Sequence, residues 1–217
     1  MSSVAEPASG WTVILPLKGG PSAKSRLGAP AALATAIALD CLAAVLAADR
    51  VDAVVVVTPD PELAAAAVSA GARVQAESAP GAGLLPAVTD GLAATLGRCA
   101  VLLGDLPALR ADDLETALQL SGDLLTRTEG RTRPPSMVFI PDAEGTGTVL
   151  LTALAPAAMQ PSFGPASASA HQASGAFRLD VDLPRLRRDV DTPADLRTAI
   201  ELGVGPRTQA VLAEITV

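Results

Sequence analysis

The chain has 217 residues, of which 49% are hydrophobic and 2% aromatic, and its formal net charge is −7. This length fits one domain with a sizeable core. The acidic balance argues against a nucleic-acid partner, and the scarcity of aromatic side chains argues against a stacking platform for single strands.

No apolar stretch reaches the roughly 18 to 20 residues of a membrane span, and residues 1–10 lack the basic-then-apolar layout of a signal peptide. We therefore expect a cytoplasmic protein with no membrane partner. Residues 1–10 are small and polar, which predicts a disordered tail, and residues 11–217 are expected to form one domain. Cys41 and Cys99 lie in apolar surroundings without a CxxC motif, which favours buried thiols over a disulfide or a metal site.

The first part of the chain predicts strands and helices in alternation. Short apolar runs bounded by turn residues indicate buried strands at 12–17, 51–58, 73–76 and 100–103. The stretches between and after them indicate helices at 30–48, 61–70, 84–96 and 112–120. This alternation is typical of an α/β fold, with a mostly parallel sheet and helices on both faces.

The regular alternation of predicted strands and helices ends after residue 121. We expect a polar connection at 122–135, strands at 136–140, 149–154 and 177–181, and an irregular segment at 161–175. Thr192 predicts the N-cap of a helix that ends at Gly203, because Pro193 suits its first turn and Asp195 lies three residues after the cap. A last helix is expected within 204–217.

The apolar run at 100–103 ends abruptly in Gly104 and Asp105. In an open α/β sheet, ligands bind outside the carboxyl ends of the strands. Asp105 is therefore expected where a buried strand opens into a cleft. We interpret it as a ligand of a divalent metal that is bound to a nucleotide.

Two more carboxylates, Asp189 and Asp191, lie just before the helix that Thr192 begins. The segment 187–191 predicts a short strand, and period two would place both carboxylates on one face. Hard oxygen ligands of this kind suit Mg²⁺. The alternative is that both are ordinary helix-entry and surface acids, but Asp105 at a second strand end favours a joint metal site.

A glycine-bearing loop with three cations, Lys18, Lys24 and Arg26, follows the first predicted strand directly. Glycines let backbone N–H groups approach phosphates, and the cations neutralise the charge. The loop does not match the GxxxxGK[ST] phosphate-binding pattern. A solvated basic surface loop is the alternative.

Two turn-rich segments, 145–148 and 163–167, offer backbone N–H groups and hydroxyls, including those of Thr148 and Ser167. His171, the single histidine, is more readily a hydrogen-bonding or surface residue than a general base. Nothing in the sequence marks a nucleophile elbow, and one histidine with two separated thiols excludes a soft metal site.

Five motifs in this order resemble the phosphoenolpyruvate/2-phospho-L-lactate guanylyltransferases of coenzyme F-420 biosynthesis. They are Ala23-Lys24-Ser25-Arg26-Leu27, Gly104-Asp105-Leu106-Pro107-Ala108-Leu109, Gly145-Thr146-Gly147-Thr148, Phe163-Gly164-Pro165-Ala166-Ser167 with His171 after it, and Asp189-Val190-Asp191-Thr192-Pro193. The resemblance covers nearly the whole chain after the tail. It implies a single-domain, Rossmann-like nucleotidyltransferase fold with a mixed sheet over 11–217, GTP as donor and Mg²⁺ as cofactor.

The resemblance also implies roles for individual residues. The family's metal-binding aspartates fall on Asp105, Asp189 and Asp191, and its phosphoenolpyruvate contacts fall on Thr148, Gly164 and Ser167. Its phosphate-contacting lysine falls on Lys24, and Lys18 or Arg26 would help to stabilise the triphosphate and the leaving group. The sequence departs from the family at Leu84-Leu85, where a Leu-Asn pair is common.

The expected reaction joins GTP to phosphoenolpyruvate and releases pyrophosphate, and a downstream transferase of coenzyme F-420 synthesis is the implied partner. Three alternatives stay open. The acceptor could be 2-phospho-L-lactate or 3-phosphoglycerate, the enzyme could be another nucleotidyltransferase of the molybdenum-cofactor or sugar-phosphate type, or the chain could be a non-catalytic nucleotide-binding protein.

Overall fold

The computed structural model describes residues 10–18, 30–127 and 133–215, and a seven-stranded sheet runs through them. In chain order the strands are β1 (Trp11–Pro16), β2 (Val51–Val57), β3 (Arg73–Gln75), β4 (Cys99–Leu102), β5 (Met137–Pro141), β6 (Thr148–Ala153) and β7 (Phe177–Arg178). Across the sheet their order is β3-β2-β1-β4-β6-β5-β7. Strand β6 is antiparallel to both of its neighbours, whereas the other adjacent strands are parallel.

Helices surround the sheet. They are α1 (Ala31–Leu46), α2 (Pro61–Ser69), α3 (Leu84–Ala93), α4 (Ala111–Thr126), α5 (Ser167–Ala173), α6 (Pro184–Arg187), α7 (Pro193–Leu202) and α8 (Pro206–Ile215), with a 3₁₀ turn at Pro156–Ala158. The predicted α/β class with a mostly parallel mixed sheet is confirmed. Among the described residues, no helix is both long and apolar enough to cross a bilayer.

Both faces of the sheet carry a hydrophobic core, because side chains alternate along each strand. In β1, Val13 and Leu15 belong to a cluster with residues of α1 and α4. Ile14, between them, points to the other face and packs in a second cluster with residues of α3 and α5. Cys41 and Cys99 are buried free thiols, as the sequence predicted.

Helix α4 is longer than predicted. It continues to Thr126, through the first residues of the expected polar connection at 122–135. Gly122 was expected to lie outside the helix, but it is a buried residue of α4, and a Cβ there would lie at an ordinary contact distance of 3.5 Å from the Trp11 ring. Within that connection, residues 128–132 lie outside the described residues, and so do residues 1–9 of the predicted tail.

The C-terminal helices are fixed by side-chain caps. The predicted cap of α7 is confirmed: the Asp195 N–H donates to the Thr192 hydroxyl at 3.3 Å, and the Thr192 N–H donates to the Asp195 carboxylate at 2.8 Å. Helix α8 is capped from a distance, since the Asp40 carboxylate on α1 accepts from the backbone N–H groups of Arg207 and Thr208 at 3.2 and 2.7 Å. This contact holds the end of the chain against α1.

Candidate functional site

The topology brings four chain segments to one edge of the sheet. Strands β1 and β4 are adjacent and parallel, while the chain leaves β1 toward β2 on the other side, so the strand order reverses between them. Such a reversal opens a crevice at the carboxyl ends of the strands. Strand β5 ends at this edge, and β6 begins there because it runs the opposite way.

A cleft of about 690 Å³ occupies this edge. Its lining includes seven of the predicted site residues: Lys18, Asp105, Thr148, Gly164, Ser167, Asp189 and Asp191. Lys24 and Arg26 lie outside the described residues. The structure thus brings together the predicted carboxylates and the predicted hydroxyl-bearing turns, which are far apart in the sequence.

Asp105 reaches the cleft from the turn that follows β4. Gly104 allows this turn to lie against the end of β1, because a Cβ there would be 2.2 Å from a Leu17 methyl carbon and 3.2 Å from the Pro16 carbonyl oxygen. The Asp105 carbonyl accepts a hydrogen bond from the Val190 N–H at 3.1 Å. The main chain therefore joins this turn to the segment that carries the other two aspartates.

The predicted strand at 187–191 is absent, and this prediction was wrong. Helix α6 ends at Arg187 and Thr192 already caps α7, so only a short irregular segment lies between the two helices. Val190 is nevertheless buried, in a small cluster with Leu33 and Ile37 of α1 and Ala199 of α7. With Val190 as the anchor, the carboxylates before and after it both line the cleft.

Two arginines hold this segment in place. The Arg187 guanidinium donates to the carbonyl oxygens of Pro141 and Asp142 at the end of β5, at 3.1 and 2.7 Å. The Arg188 guanidinium contacts Glu144 at 2.6 Å and Asp195 at 3.3 Å. Asp189 is therefore fixed between β5 and α7 by contacts on the residues that precede it.

Sequence reasoning missed Asp142, a buried carboxylate that also lines the cleft. Its two oxygens accept from the N–H groups of Thr146 and Gly147 at 2.9 and 2.7 Å. A Cβ on Gly147 would lie 2.3 Å from the Asp142 carboxylate, so glycine is required there. The signal was available, because Asp142 follows a buried apolar run just as Asp105 does.

The carboxylates concentrate negative charge at one wall of the cleft. Burial, and after it the charges of Asp105, Asp142 and Asp191, together raise the pKa of Asp189 from 3.8 to about 7. Asp142, Glu144 and Asp189 offer ligand oxygens within 4.8 Å of one another, a grouping found once in the described part of the chain. A set of hard oxygen donors of this kind fits a divalent cation such as Mg²⁺.

The positive charge near this wall comes from the end of β1. Lys18 is exposed and is the one Lys or Arg that lines the cleft among the described residues. It follows β1 directly, and β1 lies beside β4, so its ammonium group is on the same edge as Asp105. This arrangement suits an anionic ligand that lies between a cation-binding wall and Lys18.

The predicted turns form another wall of the cleft, which begins beside Asp142. The Ala168 N–H donates to the Thr146 carbonyl at 3.1 Å, which joins the 145–148 turn to the start of α5. Gly164 has a φ of +135°, a conformation that glycine tolerates, and its carbonyl accepts from the Ser167 N–H at 3.1 Å. Part of the segment 161–175, predicted as irregular, is the helix α5.

His171 lies behind this wall and is fully buried. Its Nδ1 atom is 2.9 Å from the Thr148 hydroxyl oxygen, and its Nε2 atom accepts from the Ser162 N–H at 2.8 Å. Burial lowers the pKa of His171 to about 4. The imidazole is therefore neutral at physiological pH and acts as a hydrogen-bonding residue, the more readily expected of its roles.

The chain matches one protein-family model, the MobA-like NTP transferase domain, over residues 29–159. This match covers more than half of the chain. It includes β4, Asp105, Asp142 and Thr148, and it ends before Gly164, Ser167, Asp189 and Asp191.

Two curated relatives carry the same name. A phosphoenolpyruvate guanylyltransferase of Salinispora arenicola is 48% identical over 205 residues, which are 91% of this chain and 91% of the relative. Another, from Geodermatophilus obscurus, is 45% identical over 214 residues, with 93% and 94% of the two chains covered. Sequence identity at this level, over more than 90% of both chains, is typical of members of one protein family.

Solved structures share the fold. A nucleotidyl transferase of Methanothermobacter superposes with a TM-score of 0.63 at 16% identity, over 89% of this chain and 97% of that one. A Mycobacterium tuberculosis protein solved in complex with manganese superposes with a TM-score of 0.53 at 19% identity, over 90% and 100%. The fold is therefore that of the nucleotidyltransferases.

Proposed function

Because the chain belongs to the phosphoenolpyruvate guanylyltransferase family and is thus a nucleotidyltransferase, we propose that it transfers the guanylyl group of GTP to phosphoenolpyruvate. The observation that carries the proposal is the convergence of Asp105, Asp189 and Asp191 with Thr148 and Ser167 in one cleft. Carboxylates that can hold a cation and turns that carry hydroxyls, lining one cleft, suit two phosphorylated substrates that must meet.

The cofactor proposed is Mg²⁺, held by Asp105, Asp189 and Asp191. Burial and, after it, the charges of the neighbouring carboxylates raise the pKa of Asp189, and a bound cation would relieve both effects. When bound, the metal ion supplies charge neutralisation between the phosphates of the two substrates. Asp142 is already occupied by two backbone N–H groups and contributes by shaping the turn before Thr148.

In the proposed reaction, a phosphate oxygen of phosphoenolpyruvate attacks the α-phosphorus of GTP. The bond from the α-phosphorus to the bridging oxygen breaks, and pyrophosphate leaves with the electron pair. A phosphate dianion is ionised at neutral pH, so the reaction needs no general base. The neutral, doubly hydrogen-bonded imidazole of His171 agrees with that requirement, and catalysis then consists of positioning and charge neutralisation.

Donor and acceptor are assigned to different walls. Lys18, with Lys24 and Arg26 of the same loop, would neutralise the triphosphate and the departing pyrophosphate. Thr148, Gly164 and Ser167 would hold the phosphate or carboxylate of the acceptor. Phosphates bind well to such combinations of cations, hydroxyls and backbone N–H groups.

The Leu84-Leu85 pair bears on how the nucleotide is held. Leu84 lines the cleft, whereas Leu85 is 39% exposed and does not. We propose that Leu84 gives the nucleotide an apolar contact. The asparagine that relatives commonly have at the second position of this pair would then be replaced by contacts elsewhere.

The product would be enolpyruvyl-diphospho-5′-guanosine, an intermediate of coenzyme F-420 synthesis that a downstream transferase consumes. The decisive experiment incubates the protein with Mg²⁺, GTP and one acceptor at a time: phosphoenolpyruvate, 2-phospho-L-lactate or 3-phosphoglycerate. The downstream transferase and its deazaflavin acceptor are present as a trap, since the product is unstable. Mass spectrometry then identifies the adduct.

We expect the enolpyruvyl adduct with GTP and none with ATP or CTP. A lactyl or glyceryl adduct in its place would change the assigned acceptor. Products formed only with sugar phosphates would move the protein to another branch of the nucleotidyltransferases. No product with any pair, together with calorimetric binding of Mg²⁺–GTP, would indicate a non-catalytic nucleotide-binding protein.

A further inference from the structure

The single histidine of the chain is placed where it controls a hydroxyl of the cleft. His171 is fully buried on α5, and Thr148 is the first residue of β6 and lines the cleft. The two side chains are in direct hydrogen-bond contact at 2.9 Å. The proposed reaction assigns no proton transfer to this imidazole, so its contact with Thr148 requires another explanation.

The hydrogen bonds of His171 fix its tautomer. The Ser162 backbone N–H is a donor only, and it points at Nε2 over 2.8 Å. Nε2 must therefore present its lone pair, and the one proton of the neutral ring must be on Nδ1. Nδ1–H then donates to the Thr148 hydroxyl oxygen.

The surroundings keep the ring in this orientation. Phe163 contacts it edge-on at a centroid distance of 5.1 Å, and Phe139 lies at 5.8 Å. The same burial lowers the pKa of His171 to about 4, so the ring carries no charge at neutral pH. A fixed tautomer in a fixed orientation makes the direction of the hydrogen bond constant.

The consequence falls on the Thr148 hydroxyl. One of its oxygen lone pairs is occupied by the imidazole N–H, so its own hydrogen is directed away from the ring. Thr148 lines the cleft, so we assign its hydroxyl hydrogen to the cleft side. The hydroxyl is thereby set as a donor before any ligand arrives.

We propose that His171 is a positioning residue that fixes the Thr148 hydroxyl as a hydrogen-bond donor to an anionic oxygen of the acceptor substrate. The proposal rests on the proposed function, which assigns the acceptor to this wall. A hydroxyl whose hydrogen is directed at the ligand favours ligands that present acceptor oxygens, such as the phosphate or the carboxylate of a phosphorylated acid. It disfavours a ligand that presents a hydroxyl hydrogen there, because two donors would then face each other.

The first test reads the tautomer directly. In protein labelled with ¹⁵N-histidine, NMR shows one imidazole, since the chain has one histidine. At pH 7 we expect a protonated Nδ1 and an unprotonated Nε2. A proton on Nε2, or a doubly protonated ring, would overturn the proposal.

The second test links the ring to the acceptor. Phosphoenolpyruvate, and separately inorganic phosphate, is titrated into the labelled protein and into Thr148→Val. We expect the Nδ1 signal of the wild type to move as the ligand binds and that of Thr148→Val to stay constant. A signal that does not move in the wild type at saturating ligand contradicts the proposal.

The third test uses kinetics. Thr148→Val is expected to raise the KM for the acceptor at least tenfold and to leave the KM for GTP unchanged, whereas Thr148→Ser keeps near wild-type values. His171→Asn retains a donor near the Nδ1 position, and His171→Phe does not, so the KM for the acceptor should rise more in His171→Phe. In the Thr148→Val background, neither histidine substitution should raise it further.

The two proposals fail in different ways. An active wild type in which the Thr148 and His171 effects multiply would mean that the histidine is merely structural, and this inference would be wrong. A wild type that transfers guanylyl to no acceptor would contradict the proposed function, and the ¹⁵N shift with inorganic phosphate would then decide this inference alone. If His171→Phe does not fold, His171→Asn and the spectra keep the test complete.

Discussion

The backbone carbonyl of Asp105 accepts a hydrogen bond from the backbone N–H of Val190 over 3.1 Å. This bond joins the turn after β4 to the segment between α6 and α7. It involves only main-chain atoms, so it uses none of the carboxylates of Asp105, Asp189 and Asp191. Substitution of the carboxylates therefore leaves the link intact. Loss of function in such variants can be separated from loss of fold.

Asp105→Asn and Asp191→Asn should each reduce guanylyl transfer at least a hundredfold, because removing one carboxylate from a small site weakens the hold on the metal ion. The fold should be retained, as judged by circular dichroism and by the melting temperature. Asp182→Asn, which removes an exposed carboxylate outside the cleft lining, is the matched control and should be fully active. Full activity in Asp105→Asn would show that this aspartate does not hold the metal.

Asp189→Asn should stabilise the metal-free protein while it abolishes transfer. The pKa of Asp189 rises from 3.8 to about 7 on folding, so the native state binds this proton more tightly than the unfolded state. Stability from this group is therefore lost as pH rises from about 4 to about 7, and at pH 8 the loss is complete. We expect Asp189→Asn to increase the free energy of unfolding by about 1 to 2 kcal/mol at pH 8. This is less than the pKa shift alone implies, because water screens the group.

Melting temperatures in EDTA at pH 5 and pH 8 measure this effect. The gain from Asp189→Asn should be larger at pH 8 than at pH 5. An equal gain at both values, or a destabilised variant, would mean that burial and the neighbouring carboxylates do not raise the pKa of Asp189.

Binding of Mg²⁺ should release a proton near neutral pH. The cation must displace the proton that Asp189 holds below about pH 7, so affinity should increase as pH rises from 6 to 8. Calorimetry in buffers of different ionisation enthalpy counts the protons released. Asp189→Asn should release none, and a wild-type affinity that does not change with pH would contradict the assignment.

Gly147→Ala should damage the turn before Thr148. Its Cβ would lie 2.3 Å from the Asp142 carboxylate, which must then move and give up one or both of its N–H contacts. We expect a loss of about 2 kcal/mol and a raised KM for the acceptor. Gly122→Ala is the matched control: its Cβ has room beside Trp11, and a helix interior favours alanine by up to about 1 kcal/mol.

Asp40→Ala should loosen α8, because two N–H groups at its first turn lose the carboxylate that they share. The expected cost is about 1 to 2 kcal/mol in the free energy of unfolding, measured by urea denaturation. Asp49→Ala, at an exposed turn residue, should change it by less than about 0.5 kcal/mol. Hydrogen exchange should locate the loss of protection in α8.

Local features of the sequence predicted much of the fold. Thr192 and Asp195 predicted the start of α7 correctly, because a capping box depends only on residues within one helical turn. Asp105 was assigned to the cleft because it follows the carboxyl end of a buried strand, and ligands bind at such ends in an open α/β sheet. Both inferences needed only neighbouring residues and a general rule about sheets.

The errors have a common cause, which is that the deciding contact is distant in sequence. Gly122 resembles the end of a helix, yet it lies within α4, where it is buried beside Trp11 of β1. Val190 between two aspartates resembles a strand, yet its burial comes from α1 and α7 rather than from a sheet. The role of Asp142 depends on β6 running antiparallel, which the local pattern does not show.

Because β6 is antiparallel to its neighbours, it begins at the edge where β4 and β5 end, so residues from two parts of the chain line one cleft. Lys18, Asp105 and the apolar Leu84 come from the half of the chain before β5, while Thr148, Gly164 and Ser167 come from the half that begins with the β5–β6 pair. Under the proposed function, the first half supplies the nucleotide contacts and Asp105, and the second half supplies the acceptor contacts together with Asp189 and Asp191. A metal site that uses all three aspartates is therefore complete only after both halves of the chain have folded together.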